Sequence, residues 1–386
     1  MSTNCILIQE DIFTLWEASM SILSPFKKIH DSLLDSVLRY FTRRHEMDNI
    51  HKKHHLYSHL TLSPEQKERI DTLFIQNYGK KFPYDWHLLY QSYLGVFCEN
   101  YFPEILFSTK LEPLLNPKRY TRAFEDKNMV EIIVSGLEAV RCPQTYLACI
   151  GGTFRDGYHQ ILNKEEAVSS LSNIGSCVVK KTIDTSSGRD VMMCEFREGV
   201  DTKSGSSVEQ VFEIIGDDFI IQERISQWHE LASLYPNSLN TFRVMTYIID
   251  GEIKLCPLAL RMGRNGADRD NIHYGGIVVG VSNDGYLKDC AFSEYQERFP
   301  SHPDSGMLFS GCHIQHIDRI IGAAKKLHAK IPQLKCLSWD LTLDVDGVPV
   351  LIEINMAGQS SWFPQMVNGE ALFGDDTPKM LQLIRK

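Results

Sequence analysis

The sequence predicts an α+β chain with a helical N-terminal lobe, a small sheet lobe and a larger lobe of antiparallel strands. Three observations predict it. Apolar residues recur at three- and four-residue steps through roughly the first 120 positions, the period of an amphipathic helix. Short β-type runs begin after about residue 140. Further on, two long strand patterns each fold back at an Asp-Gly pair, a dipeptide suited to tight hairpins.

The helical pattern is clearest in ILSPFKKIHDSLLDSVLRYFTRRH, where Lys, Arg and Asp separate the apolar positions and Pro25 marks a helix start. Ser63-Pro64-Glu65 signals another start, and residues 84–109 are rich in aromatics suited to burial. Then come TYLACIGGTF, SCVVKKTI, VMMCEF and DFIIQERI, interrupted by helical patterns at Lys164–Leu171 and Val208–Ile215. NTFRVMTYIIDGEIKLCPLALRMG turns at Asp250-Gly251, and SWDLTLDVDGVPVLIEIN turns at Asp346-Gly347, with a helix from about Ile314 to Lys330 between them. The expected organisation is a helical lobe at 1–120, a lid-bearing part at 121–225 and a C-terminal lobe at 226–386.

Composition narrows the function classes. The chain has 386 residues, 43% of them hydrophobic, enough for two or three lobes with their own cores. Its formal charge of -9 gives no basic stripe for nucleic acid. Ten cysteines run from Cys5 to Cys336 without a CxxC pair, so they read as reduced thiols of a cytoplasmic protein. MSTNCILIQEDIF lacks a basic leader region, and no apolar run reaches transmembrane length.

The densest chemistry lies in the last hairpin. Asp340 and Glu353 stand on its two arms, so the turn lets them face each other. Glu353 and Asn355 differ by two and share a face. Convergent carboxylate and amide oxygens suit Mg²⁺, and two such ions would clamp a triphosphate. Asp344 and Asp346 read as solvated turn residues. Earlier, Lys180 ends an apolar run and precedes a Ser/Gly-rich loop whose hydroxyls and N–H groups can cover phosphates. It is not a Walker loop, because no GK[ST] follows. Gln222-Glu223-Arg224-Ile225 after DFII reads as a hinge whose backbone can meet a base.

Taken in order, these pieces resemble the ATP-grasp superfamily. The resemblance implies ATP as ligand, with Mg²⁺ (two ions, Mn²⁺ able to substitute) held by Asp340, Glu353 and Asn355. It makes Lys127 and Lys180 the two nucleotide lysines, and Thr185, Ser186, Ser187 and Gly188 the phosphate loop. Gln222, Glu223 and Ile225 fall in the adenine hinge, and His229 or Glu230 at the ribose position. The segments NSLNTFRVMT, LRMGRNGADRDNIHYGG, SHPDSG, SWDLTLD, LIEIN and NGEALFGDDT, within roughly residues 80–380, are similar to the sugar-transfer-associated ATP-grasp family. That similarity implies polysaccharide or glycoconjugate assembly, with a small-molecule or glycoconjugate substrate. Lys181 stands where a proline often follows the lid lysine, and Ser338 stands where related ligases carry an arginine. Arg243 or Arg261 is then expected to meet the transferred phosphoryl group.

The reaction expected is activation of a carboxylate as an acyl phosphate for attack by an amine. The alternatives are phosphoryl transfer to a sugar or other small acceptor, and nucleotide binding without turnover. His51, His54, His55 and His59 are spaced along one helical face and read as solvated rather than as a zinc site. Asp270-Asn271 and Gly275-Gly276 suit either a substrate or phosphate loop or a plain tight turn.

Overall fold

The computed structural model describes residues 36–183 and 191–385. The chain divides into two compact units, Met1–Lys52 and Lys53–Lys386. In the first, residues 36–52 are helical. All that follows concerns the second.

Its helical part opens with α1 (Pro64–Tyr78), started by the Ser63-Pro64 signal: Ser63 and Gln66 cap each other reciprocally, and Gly79 ends the helix. α2 (Asp85–Leu94) supplies Trp86, Leu89, Tyr90 and Tyr93 to the interior. These aromatics, with Phe102 and Phe107, account for the aromatic-rich segment.

Seven strands form the smaller sheet: β1 (Thr145–Ile150), β2 (Thr153–Asp156), β3 (Ile161–Leu162), β4 (Gly175–Lys181), β5 (Val191–Arg197), β6 (Val200–Asp201) and β7 (Phe219–Glu223). They run in the order β3-β2-β1-β7-β4-β5-β6. Two helices match the expected positions, α4 (Lys164–Leu171) and α5 (Val208–Ile215), and α3 (Met129–Val134) precedes the sheet. Both α4 and α5 begin with capping boxes, and they close a core of Leu147, Val179, Phe196, Phe219 and Ile221.

The larger sheet contains β8 (Thr241–Ile249), β9 (Glu252–Leu255), β10 (Leu258–Met262), β11 (Ile277–Val281), β12 (Leu287–Phe292), β13 (Arg298–Phe299), β14 (Cys336–Leu343) and β15 (Pro349–Asn355). Its order is β13-β12-β11-β10-β8-β14-β15, with β9 paired to β8. Asp250 and Gly251 both have positive φ, as the tight β8–β9 turn requires. Alternation gives the sheet two unlike faces. Phe242, Val244, Trp339 and Leu341 face a core closed by α6 (His229–Leu234) and α7 (Ile317–Lys330). Arg243 and Asp340, one position out of phase, face the opposite side. There α8 (Trp362–Asn368) lies so close that a Cβ on Gly280 would meet the Asn368 side chain and the Val367 carbonyl at 2.5 Å.

The β14–β15 ladder contains one irregularity. From the turn, Leu343 pairs with Pro349, Thr342 with Val350 and Leu341 with Leu351; the next pair is Asp340 with Glu353. Ile352 is therefore an extra residue in a β-bulge. An unbroken ladder would put Ile352 opposite Asp340 and Glu353 on the Trp339 face. A carboxylate there would be buried among apolar side chains, which is far costlier than one disrupted pair.

The helical part and the larger sheet are joined by saturated buried polar side chains. Asn116 donates to the carbonyls of Cys336 and Met356 and accepts from the N–H groups of Lys335 and Cys336. Glu112 accepts from Gly358 and Gln359 N–H, and Glu104 from Ser361. No helix among the described residues is long and apolar enough to cross a membrane.

Asn116→Ala should remove these four bonds; the Lys335 N–H keeps the Leu115 carbonyl and the Cys336 carbonyl keeps the Gln359 amide, so the loss falls on the Cys336 N–H and the Met356 carbonyl. A loss of about 1–3 kcal/mol is expected in denaturant unfolding. A change under about 0.5 kcal/mol would show that the clamp contributes nothing.

Candidate active site

A cavity of about 910 Å³ lies between the two sheets. Its walls include Lys127, Lys180, the segment from Gln222 to Gln227, Arg243, Arg261, Asp340, Glu353 and Asn355. Residues separated by more than 200 positions are thus brought to one surface.

The charged wall is a row across neighbouring strands. Arg243 on β8 pairs with Asp340 on β14, which pairs with Glu353 on β15. Arg243 Nε lies 2.8 Å from Asp340 Oδ1, yet neither atom has a hydrogen-bond partner. The contact is a misaligned ion pair, and it leaves a buried carboxylate oxygen unsatisfied. Arg261 Nη2 is 3.1 Å from Asp340 Oδ2 and 3.4 Å from Asp270 Oδ2. Its guanidinium also donates to Thr241 Oγ1, whose hydroxyl donates to Asp270. Burial lowers the Arg243 pKa despite Asp340 beside it, whereas at Arg261 the carboxylates of Asp270, Asp340 and Glu353 outweigh the same burial and raise it. Burial also raises the Asp270 carboxyl, opposed by Arg261.

Glu353 Oε1 accepts an ion pair from Lys127 Nζ at 2.9 Å. The Glu353 side chain keeps 38% of its surface, which opens onto the cavity it lines. Burial pushes its pKa up, but Lys127, Lys180 and Arg243 together hold it below the usual value. Lys180 is buried at the end of β4, and desolvation pushes its ammonium down to about 8, with Glu353 opposing and Lys127 adding to the shift. Lys127 is fixed at its backbone by a 3.0 Å bond from its N–H to the Thr182 carbonyl, beside β4.

These residues fit a hard, oxygen-seeking cation. Asp340 Oδ1 is a buried acceptor without a hydrogen bond, and Glu353 faces it across the ladder. Asn355 donates its amide to Asp340 Oδ2 at 3.3 Å, leaving its own oxygen for a ligand. Among the described residues no three His, Cys, Asp or Glu side chains gather as a metal site. His54, His55 and His59 are exposed.

Several expected residues fall elsewhere. Ser186, Ser187 and Gly188, with Thr185, lie outside the described residues. Neither His229 nor Glu230 is among the cavity-lining residues. The Glu230 carboxylate accepts from Trp228 Nε1 and Gln315 N–H, and the His229 side chain is 69% exposed. Gln227, Ala232 and residues 236–239 line the wall in their place. The polar Pro236-Asn237-Ser238 stretch, just before a strand pattern, was the available signal. Gln222 is buried and bonds to Thr145 Oγ1 and the Pro143 carbonyl. Ser338, fully buried, donates to Gln359. The loop at 270–273 joins the cavity wall. Gly276 serves its turn, where a Cβ would meet the Asp270 carbonyl at 2.7 Å.

Asp344 requires a correction. It is buried rather than solvated: its carboxylate takes Arg141 Nε at 2.8 Å and the N–H groups of Asp346 and Val348. Arg141 also pairs with Glu223 at 2.8 Å. The Glu223 side chain is thereby engaged in joining the hinge to the last hairpin. Asp346 is the exposed turn residue.

Residues 106–379 match the sugar-transfer-associated ATP-grasp family, and the chain belongs to that family. No curated protein matches the chain. Among solved structures it is similar to biotin carboxylase from Campylobacter jejuni (13% identity, 70% of this chain and 48% of that one, TM-score 0.42). It is also similar to N5-carboxyaminoimidazole synthetase from Staphylococcus aureus complexed with ADP (9%, 68% and 52%, TM-score 0.40). A third is D-alanyl-alanine synthetase A from Vibrio cholerae (12%, 67% and 64%, TM-score 0.40). The chain spans less than two thirds of the length of each.

Asp344→Asn should cost about 1–2 kcal/mol in denaturant unfolding, because a buried charge-assisted contact to Arg141 is lost. Asp346→Asn should stay within about 0.5 kcal/mol. Equal behaviour of the two would mean that the Arg141 linkage adds no stability.

Proposed function

We propose that the cavity binds ATP with Mg²⁺ and that the chain is an ADP-forming ligase. It would phosphorylate a carboxylate and join the resulting acyl phosphate to an amine. The observation that carries this reading is the Arg243–Asp340–Glu353 row lining one cavity together with Lys127 and Lys180. Family membership supports the ATP-grasp chemistry, and the family's sugar-transfer association supports a polysaccharide or glycoconjugate substrate. The nine described cysteines are all free, which fits a cytoplasmic location.

Lys127 and Lys180 would take the phosphates, and the backbone from Gln222 to Ile225 would meet the base. Asp340, Glu353 and Asn355 would hold the metal. Bound Mg²⁺ supplies charge neutralisation on the phosphates during transfer. Arg243 and Arg261 would stabilise charge on the migrating phosphoryl group. The γ-phosphorus bonds to a carboxylate oxygen as ADP leaves. The amine nitrogen then bonds to the acyl carbon and phosphate departs, with the amine proton passing to solvent or a nearby base.

Calorimetric titration with a non-hydrolysable ATP analogue and Mg²⁺ should show binding; none at millimolar analogue would sink the reading. Turnover, screened over amino acids, sugars and nucleotide sugars, should give ADP, free phosphate and an amide. A phosphorylated product without free phosphate would instead identify a kinase. Glu353→Gln should lower turnover by about 10²-fold or more, with melting temperature as the folding control.

Lys180 gives a pH prediction. Its pKa is pushed down to about 8, so in nucleotide-free protein the charge is lost as pH rises through that value. Bound phosphates favour the charged form. Analogue affinity should therefore fall about 10-fold between pH 7 and 9. Lys180→Arg, which stays charged, should flatten the profile. A profile unchanged by the substitution would assign the dependence to another group.

A further inference from the structure

We propose that Lys127 is a latch on the metal site: before nucleotide arrives it occupies Glu353, so the site opens to a divalent cation only together with a triphosphate. The proposal rests on the ATP reading above and concerns how that site is loaded.

The geometry gives each metal-ligand carboxylate an internal cation. Lys127 Nζ is 2.9 Å from Glu353 Oε1, while Asp340 lies 2.8 Å from Arg243 and 3.1 Å from Arg261. Lys180 and Arg243 also act on Glu353. Among the described residues, the cavity lining carries seven lysines and arginines against five carboxylates. The balance is two positive charges. A lone divalent cation entering there meets repulsion in a partly desolvated site, where charges interact strongly. It must also displace an ammonium already paired with its ligand.

A triphosphate reverses both terms. Its negative charges outnumber the excess positive charge and offer Lys127 a new partner. Lys127 is suited to the exchange: its backbone is held by the Thr182 carbonyl, while four rotatable side-chain bonds let Nζ move. Arg243 and Arg261 lie on strands, so the exchange falls mainly on Lys127. Nucleotide and metal binding are then coupled through one side chain, reciprocally.

The test uses Mn²⁺ alone as probe, followed by electron paramagnetic resonance of free Mn²⁺ and by calorimetry, without nucleotide. Lys127→Met should bind Mn²⁺ about 10-fold or more tightly than the parent, within the range of typical coupling between sites. The same variant should bind the ATP analogue more weakly. Adding Glu353→Gln to Lys127→Met should abolish the gain. Lys325→Met, which removes an exposed charge on α7, should leave Mn²⁺ affinity unchanged. Lys127→Gln keeps a polar side chain and repeats the measurement if the methionine variant melts early. Unchanged or weaker Mn²⁺ binding in folded Lys127→Met and Lys127→Gln would overturn the latch. Because the Mn²⁺ measurement contains no nucleotide, it reads the latch separately: failure of the parent to bind the analogue overturns the ATP reading instead.

Discussion

Charge on a buried sheet face must be neutralised side chain by side chain, and the rest of this site depends on that requirement. Asp340 is buried at 3% exposure against Arg243 and Arg261, and removing any one of the three would leave a buried charge short of its partner. Each therefore fixes the other's strand. Thr241 and Asp270 extend the network toward the loop at 270–273; Lys127, just before α3, and Lys180, on β4 of the smaller sheet, close it on the Glu353 side. The same attraction that would hold phosphate and metal holds the two sheets in register around the cavity.

The supporting framework is polar as well. Asn116, Glu104 and Glu112 come from the helical part but bond to the backbone just before β14 and just after β15. They fix the segment beyond Asn355, where an apolar contact alone would allow sliding. Arg141 makes a comparable tie between Glu223 and Asp344. Hinge and hairpin therefore cannot shift independently without breaking a charged contact.

Much of this was legible in the sequence because it depends on short-range signals. Lys164–Leu171 and Val208–Ile215 carry their own caps and periodicity, and Asp250-Gly251 dictates its turn. Two-residue spacing placed Glu353 and Asn355 together, and VLIEIN marked a carboxylate in apolar company. Long-range facts were not legible. Nothing local to Asp344 announces Arg141, 203 positions away, so a buried ion pair read as a turn residue. His229 and Glu230 lay at the expected distance along the chain, but the start of α6 sends them away from the cavity. Nothing local to Asn116 announces its bonds either, since its four partner groups belong to residues more than 200 positions later.

The bulge at Ile352 gives the last hairpin a counting rule. Loss of Ile352 itself would restore an unbroken ladder and still leave Glu353 opposite Asp340, on a straighter strand. An added residue between Leu351 and Glu353 would need a wider bulge to keep that pairing; without one, the strand would have to rotate the carboxylate toward Trp339. Chain length in this segment is thus constrained independently of residue identity. Insertions and deletions here divide by position into silent and inactivating classes, a distinction that substitutions at the same sites would not reveal.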